Sequence, residues 1–377
     1  MMKTVAAVCI LAAGLAVIVL MTSQNSLAGR DWITYWASGR QLLSHQNPYD
    51  QAALAALDRS AGAGNGKVAI IRYPPSGLLF ELLLAQFGPR TAGVLWILAL
   101  IGALVISIRL LRQMMDQTGD RNHLLGYLFP PVLCCLMAGQ IGILLLLSFT
   151  LFLYLHERHP WIAGAVLSFC LSKPHLMALP LTVLVVWSLG RKRFQILAGG
   201  ALTLLACGLI PLYFDPQIWS HYLAGFRGEH IENEFIPVLS CVFRVLVHRE
   251  WQMLQFVPVL CGIAWALAYY WRRRDSWEWL RDGSFLMAVG VLVAPYAWIT
   301  DEALALPAVL FGLYALPRTG RSVIPYAVLA LAGLGETLFA IPPGTGLYLW
   351  TAPAWVAWCV YAEWPVRVRE RAPAAAS

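Results

Sequence analysis

Long apolar segments recur along almost the whole chain, with only short polar connections between most of them. Hydrophobic residues make up 59% of the 377-residue sequence and charged residues only 12%, which is about half the charged share of an average soluble domain. Such a chain cannot cover its apolar surface in water, so most of that surface must face lipid. The pattern predicts an all-α polytopic membrane protein and excludes a soluble fold.

The number of membrane spans follows from segment length, because a span needs roughly 20 apolar residues, or fewer where neighbouring helices shelter it. We predict about twelve transmembrane helices in a single domain covering residues 1–377. The candidate segments are 5–21, 91–111, 124–137, 141–155, 161–171, 176–189, 196–214, 253–271, 283–298, 303–316, 323–341 and 347–363. Prolines interrupt several of them, so neighbouring short pieces are expected to be kinked or broken helices.

The positions of Lys and Arg predict the orientation of the chain. Short basic runs, such as residues 191–193 and 272–274, follow apolar segments, and such runs stay cytoplasmic. Both termini are therefore predicted to be cytoplasmic, with large outer loops at residues 22–90 and 215–252. Because these orientation signals explain the net charge of +7, we expect no nucleic-acid partner. Residues 5–21 are expected to form an uncleaved signal anchor, with a removable signal peptide as the alternative.

The first outer loop carries an aromatic-rich segment, DWITYWASGRQLL, at residues 31–43. Its aromatic and leucine positions have roughly helical spacing, while Asp31, Ser38 and Gln41 take other faces, so we predict an interfacial amphipathic helix. Asp31 would then start that helix at the membrane surface. From position alone, Asp31 is either a functional carboxylate or the N-cap of the helix, and the two roles can coexist. A second short apolar helix is predicted at residues 76–87.

Other polar residues occur where apolar segments end. Lys173 lies between two short apolar pieces, where an ionisable side chain is either functional or snorkels to the interface. Gln140 is expected to satisfy the backbone of a broken helix or to bind a sugar hydroxyl. Asp301 and Glu302 are adjacent carboxylates that either bind a cation or a sugar, or form a solvated turn.

Several common motifs are missing from the sequence. It contains no Walker loop, no GxGxxG between a strand and a helix, and no GxSxG, so nucleotide-driven transport and serine hydrolysis have no support. No HExxH or paired-His spacing indicates a metal site. We expect no metal site and no cofactor, and leave a divalent cation as an open alternative.

The outer motifs together resemble those of a known family. The residues that carry the resemblance are Asp31 with Tyr35, Trp36 and Gly39, then Asn47-Pro48-Tyr49-Asp50, Tyr73-Pro74-Pro75, Gly139-Gln140 and Lys173-Pro174. In this order, over about the first half of the chain, they resemble glycosyltransferase family 87. This family is a branch of the GT-C membrane glycosyltransferases that includes polyprenyl-phosphate-mannose-dependent α-mannosyltransferases. The chain departs from the family pattern at residues 294–301, which read APYAWITD where members carry a histidine-bearing motif.

The resemblance implies a GT-C-type bundle with interfacial helices in the first outer loop. It also implies a bacterial cytoplasmic membrane location with an active site on the extracytoplasmic side. The reaction implied is inverting transfer of a hexose, such as mannose, from a polyprenyl phosphosugar to a glycan or glycolipid acceptor, without nucleotide. Asp31 would be the catalytic base.

The chemistry of this transfer suggests roles for the remaining polar residues. A leaving phosphate needs positive charge, for which Lys173, Arg72 and Arg30 are candidates. The predicted substrate-binding residues are Tyr35, Trp36, Asn47, Tyr73, Gln140, His175, Trp298, Asp301 and Glu302. The main alternative is a transporter or flippase of a lipid-linked saccharide, which predicts repeated halves that the sequence does not show. A third possibility, a structural or assembly subunit, would leave Asp31, Tyr73-Pro74-Pro75 and Lys173 without a role.

Overall fold

The computed structural model of the chain describes residues 31–61, 71–115, 119, 121–228, 235–315, 323–338 and 346–371. The predicted signal anchor at residues 5–21 and the phosphate-binding candidate Arg30 lie outside the described residues. The described residues form helices, with no strand among them. The predicted all-α class is confirmed for this part of the chain.

The helices are numbered here in chain order. They are α1 Asp31–Leu43, α2 Gln51–Ser60, α3 Leu79–Leu84, α4 Pro89–Met115, α5 Pro130–Ala138, α6 Gly142–Leu155, α7 Pro160–Leu167, α8 Ala178–Gly190, α9 Phe194–Phe214, α10 Ile218–Gly228, α11 Leu239–His248, α12 Val257–Arg273, α13 Ser284–Val293, α14 Leu306–Ala315, α15 Val323–Leu338 and α16 Thr351–Arg371. Short 3₁₀ segments occur at Pro75–Gly77, Asn122–Leu128, Ser168–Ser172, Pro174–Met177, Gln252–Phe256, Arg274–Ser276, Asp301–Ala305 and Gly346–Trp350, and a π turn at Trp279–Gly283.

Membrane-crossing length is reached by only some of these helices. Within the described residues, three helical segments are long and apolar enough to cross a bilayer, namely Pro89–Met115, Phe194–Phe214 and Gln252–Ser276. Shorter apolar helices occupy Gly142–Leu155, Pro160–Ser172, Pro174–Gly190, Leu239–His248 and Ile324–Gly335. The expected number of about twelve spans is therefore not confirmed, because prolines and 3₁₀ segments divide the apolar sequence into pieces of about three or four turns.

The outer face of α9 supports a lipid-exposed position. Leu202 and Leu205 are each 59% exposed, and Leu209 is 54% exposed. These side chains recur every three or four residues, so they share one face of the helix. A continuous apolar face of this kind is suited to lipid rather than to water. The chain is a helical membrane protein.

The chain divides into two compact units. The first contains the described residues up to Val105, Leu136–Ile141 and residues 201–228. Within it, α1 packs against α2 and α3. A Cβ added to Gly39 would lie only 2.2 Å from the Glu81 carbonyl oxygen. The absence of a side chain at Gly39 therefore allows the backbones of α1 and α3 to approach closely.

Helix α1 differs from the predicted amphipathic helix. Its bounds agree with the prediction, but Ser38 and Gln41 are buried along with its aromatic residues, and Arg40 is exposed. The small side chains of the sequence Ala37-Ser38-Gly39 let α3 cover the side that was expected to face water. The helix is thus enclosed by protein on nearly all sides rather than lying half-exposed at an interface.

The second unit contains residues 106–135 and 142–200 and the described residues from 235 onward. Here α6 packs on α7, α8 on α12, and α16 on both α13 and α14. The backbones of α7 and α9 approach closely, since a Cβ on Gly164 would lie 1.9 Å from the Ile196 carbonyl oxygen. Small residues at such crossings are typical of helix packing in membranes.

Candidate active site

In the first unit, Asp31 lies at one end of a chain of hydrogen bonds. Asp31 is the first residue of α1 and is half-buried. The Gln140 side-chain amide donates to its Oδ2. The Tyr35 hydroxyl, one turn further along α1, donates to Gln140 Oε1 at 3.0 Å and lies 2.9 Å from the Tyr73 hydroxyl. Four residues predicted to serve the site are therefore joined in one network.

The turn that carries Gln140 is fixed by two tryptophans. Gly139 has a φ of +68°, a conformation that favours glycine. A Cβ there would lie 2.8 Å from the Trp32 side chain. The Trp96 indole nitrogen donates to the Gly139 carbonyl at 2.7 Å. The backbone next to Gln140 is thus held both by packing and by a buried hydrogen bond.

The Asn47-Pro48-Tyr49-Asp50 motif builds the loop between α1 and α2. Asn47 Oδ1 accepts a hydrogen bond from the Tyr49 amide at 2.9 Å, and Asp50 Oδ1 caps α2 by accepting from the Ala52 and Ala53 amides. The Tyr49 hydroxyl donates to the Tyr73 carbonyl at 2.9 Å. The motif therefore connects this loop to the backbone that presents the Tyr73 side chain.

Two further candidates in this unit have different surroundings. The buried Trp36 indole nitrogen donates to the Phe87 carbonyl at 2.9 Å, so its polar group is used within the fold. Arg72 is half-buried and immediately precedes Tyr73. It is the phosphate-binding candidate in this unit that the structure describes.

The second unit brings together Lys173 and Asp301, which are 128 residues apart in sequence. Lys173 Nζ lies 2.6 Å from Asp301 Oδ1, and the two residues are 7% and 1% exposed. Asp301 Oδ2 accepts from the Trp298 amide at 3.0 Å. Lys173 therefore does not snorkel to an interface, and Asp301 is not part of a solvated turn. The sequence did not predict their pairing.

The other candidates in the second unit are also buried or packed. Glu302 is 5% exposed, and its Oε1 lies 2.6 Å from the Thr351 hydroxyl. The His175 ring stacks on Tyr296 with a centroid distance of 3.7 Å. Trp298 is half-buried. The adjacent carboxylates of Asp301 and Glu302 thus have separate partners inside the protein.

Sequence reasoning missed two buried carboxyl groups next to α1. Glu81 is fully buried on α3, and burial raises its pKa well above the ordinary value. Asp58 on α2 accepts from the Thr34 hydroxyl at 3.1 Å, and burial raises its pKa to about 6. The sequence signal was present for Glu81, since a single acid inside the apolar segment LFELLL is costly unless it is sheltered or neutral.

A metal site is not apparent in the described part of the chain. Among those residues, no group of three or more His, Cys, Asp or Glu side chains is placed to hold a metal ion.

Comparison with known proteins identifies the family. A model of glycosyltransferase family 87 matches residues 71–308, well over half of the chain. The chain belongs to glycosyltransferase family 87. The match includes Tyr73, Gln140, Lys173 and Asp301 but begins after Asp31. No curated protein and no solved structure matched the chain. Family 87 membership makes this membrane protein a glycosyltransferase, and the resemblance predicted from the motifs is confirmed.

Proposed function

We propose that this family 87 glycosyltransferase transfers a hexose, such as mannose, from a polyprenyl phosphate carrier to a glycan or glycolipid acceptor on the outer face of a bacterial cytoplasmic membrane. The observation that carries the proposal is the Asp31 carboxylate, half-buried at the start of α1 and held by the Gln140 amide. A partly exposed carboxylate in a defined orientation is what a general base for a hydroxyl acceptor requires. Membrane lipids would surround the prenyl chain throughout.

The proposed reaction is a single displacement. The acceptor hydroxyl gives its proton to Asp31 as its oxygen bonds to the anomeric carbon of the donor. The bond from that carbon to the phosphate oxygen breaks, and the electron pair leaves with the polyprenyl phosphate, which changes from a diester to a monoester. One displacement at the anomeric carbon inverts its configuration. The proton then passes from Asp31 to water.

Negative charge develops on the leaving phosphate, so the donor site needs cations more than an acid. Lys173 and Arg72 are the described candidates, and Arg30 is a further one. Because Lys173 already pairs with Asp301, a phosphate bound there would share its ammonium with the carboxylate. His175, Trp298 and Glu302 stay proposed substrate-binding residues.

The donor class can be tested with purified protein in lipid nanodiscs. We expect labelled hexose to be transferred from a synthetic prenyl phosphohexose, and not from the matching nucleotide sugar, to glycolipids extracted from the native membrane. Analysis of the product linkage by NMR should show an inverted anomeric centre. Transfer from the nucleotide sugar alone, or retention of configuration, would contradict the proposal. Lipid-linked glycans from cells with and without the protein would then identify the sugar and the acceptor together.

A further inference from the structure

The hydrogen bonds that end at Asp31 have a defined direction. An ionised carboxylate accepts only, so the Gln140 amide must turn its nitrogen toward Asp31 and its oxygen toward Tyr35. Tyr35 then gives its single hydroxyl proton to Gln140 Oε1. The Tyr73 hydroxyl, 2.9 Å from that of Tyr35, is left as the donor of the pair. Every donor in the chain therefore points toward Asp31.

We propose that Gln140 is a positioning residue that fixes the orientation of the Asp31 carboxylate for proton transfer, with Tyr35 and Tyr73 fixing the orientation of its amide. The inference rests on the proposed function, in which Asp31 is the general base. Gln140 donates its hydrogen bond directly to Oδ2 of Asp31. Gln140 is therefore proposed to orient the general base and not to bind the sugar.

The surroundings of Gln140 fit this role. Its backbone is held by the Gly139 turn against Trp32 and Trp96, so the amide has little freedom to move away. The Tyr35 ring packs edge-on against Trp96 and Phe80, with centroid distances of 5.7 and 5.5 Å, which fixes the hydroxyl that orients the amide. A catalytic group supported in this way by packed neighbours keeps its geometry between turnovers.

The choice of an amide is also informative. A neutral N–H donor orients a carboxylate with a smaller effect on its affinity for protons than a Lys or Arg partner would have. Gln140 therefore orients Asp31 without itself adding a positive charge beside the carboxylate.

Two substitutions at Gln140 separate positioning from simple packing. Gln140→Met keeps the side-chain size but removes the hydrogen bonds to Asp31 and Tyr35, and we expect kcat to fall about 10- to 100-fold with little change in the donor KM. Gln140→Glu keeps the shape but places a second carboxyl group beside Asp31. The two carboxyls then share a proton more readily, so the acid limb of the kcat–pH profile should move to higher pH by about one unit or more.

A matched control is Asn122→Leu, because the Asn122 amide donates to the Leu313 carbonyl at 3.0 Å in the second unit and neither residue is a site candidate. We expect it to lower thermal stability while leaving kcat within about twofold and the pH profile unchanged, as for a structural hydrogen bond. If both Gln140 variants keep the wild-type kcat and pH profile, the inference is wrong. A change in donor KM alone would make Gln140 a substrate-binding residue instead. Full activity in Asp31→Asn would instead remove the general-base assignment on which the inference rests, so the two failures are distinguishable.

Discussion

At the scale of single residues, the burial of the Lys173–Asp301 ion pair predicts that losing one partner destabilises the protein. Both side chains are buried, so Lys173→Met leaves the Asp301 charge without its ammonium partner, which typically costs about 3–5 kcal/mol. Adding Asp301→Asn removes that charge and should restore most of the lost stability. Thermal unfolding of both variants in the same detergent tests this. A double variant no more stable than Lys173→Met would show that the pair does not account for the effect.

The raised pKa of Asp58 predicts that the stability of the protein depends on pH. Its pKa rises from 3.8 to about 6 on folding, so the folded state favours the protonated carboxyl. The stability from this preference is complete below the unfolded pKa and is lost as pH rises through the folded pKa. Asp58→Asn keeps an acceptor for Thr34 and removes the charge, so it should raise the melting temperature near pH 8 but not near pH 4.

The control for this experiment is Asp50→Asn, because Asp50 is an exposed N-cap and asparagine caps about as well as aspartate. Its melting temperature should follow that of the wild type across the same pH range. If Asp58→Asn also follows the wild type, the Asp58 carboxyl is not held neutral by burial.

The sequence predicted the members of the candidate site better than their partners. Asp31, Tyr35, Tyr73 and Gln140 were all selected from their motifs, and the structure joins them in one network. The Lys173–Asp301 pairing was not predicted, because nothing in a single sequence connects two residues that are 128 positions apart. A pairing of that kind depends on tertiary packing, which local patterns do not encode.

At the scale of helices, the close crossing of α7 and α9 predicts that a larger side chain at the crossing destabilises the protein. A Cβ on Gly164 would lie 1.9 Å from the Ile196 carbonyl, and one on Gly199 would lie 2.2 Å from the Trp161 carbonyl. Gly164→Ala must therefore push the helices apart, at a cost on the order of 1–3 kcal/mol for overpacking. Gly102→Ala is the matched control, since Gly102 lies inside α4 with nothing within 4 Å of its added Cβ, and alanine favours helix.

Differential scanning of the two glycine variants provides the measurement. We expect a lower melting temperature for Gly164→Ala and an equal or slightly higher one for Gly102→Ala. A Gly164→Ala variant as stable as the wild type would mean that the crossing tolerates a wider separation.

Local sequence patterns identified helices well but described their surroundings less well. The break predicted beside Pro174 is confirmed, since Lys173 lies between the 3₁₀ segments Ser168–Ser172 and Pro174–Met177. The amphipathic character predicted for α1 was wrong, because α3 covers its polar side. Hydrophobic periodicity reports which faces avoid water. It does not report which neighbouring element will cover a short polar stretch.

At the scale of the whole molecule, topology remains a prediction. Basic runs place both termini in the cytoplasm, so a reporter active only outside the cytoplasm should be silent when fused after Ser377. The same reporter inserted in the outer loop near Gly225 should be active. Strong activity after Ser377 would overturn the assigned orientation and with it the outer-face position of the candidate site.

Composition was sufficient to predict the class of this protein but not its number of spans. A chain with 59% hydrophobic and 12% charged residues has to be a membrane protein, and the described residues are helical. Three helical segments within them reach crossing length, whereas hydropathy had suggested about twelve. An apolar segment of 10–17 residues looks the same in sequence whether it crosses lipid, re-enters the membrane or packs inside the protein.

The account depends most on Asp31 as the catalytic base. Asp31→Asn keeps the shape of the side chain but removes proton acceptance. Transfer from a synthetic prenyl phosphohexose should therefore fall by roughly 10²–10⁴-fold, the range expected for loss of a general base, while the melting temperature stays at the wild-type value. Near-normal transfer by a stably folded Asp31→Asn variant would contradict the assignment.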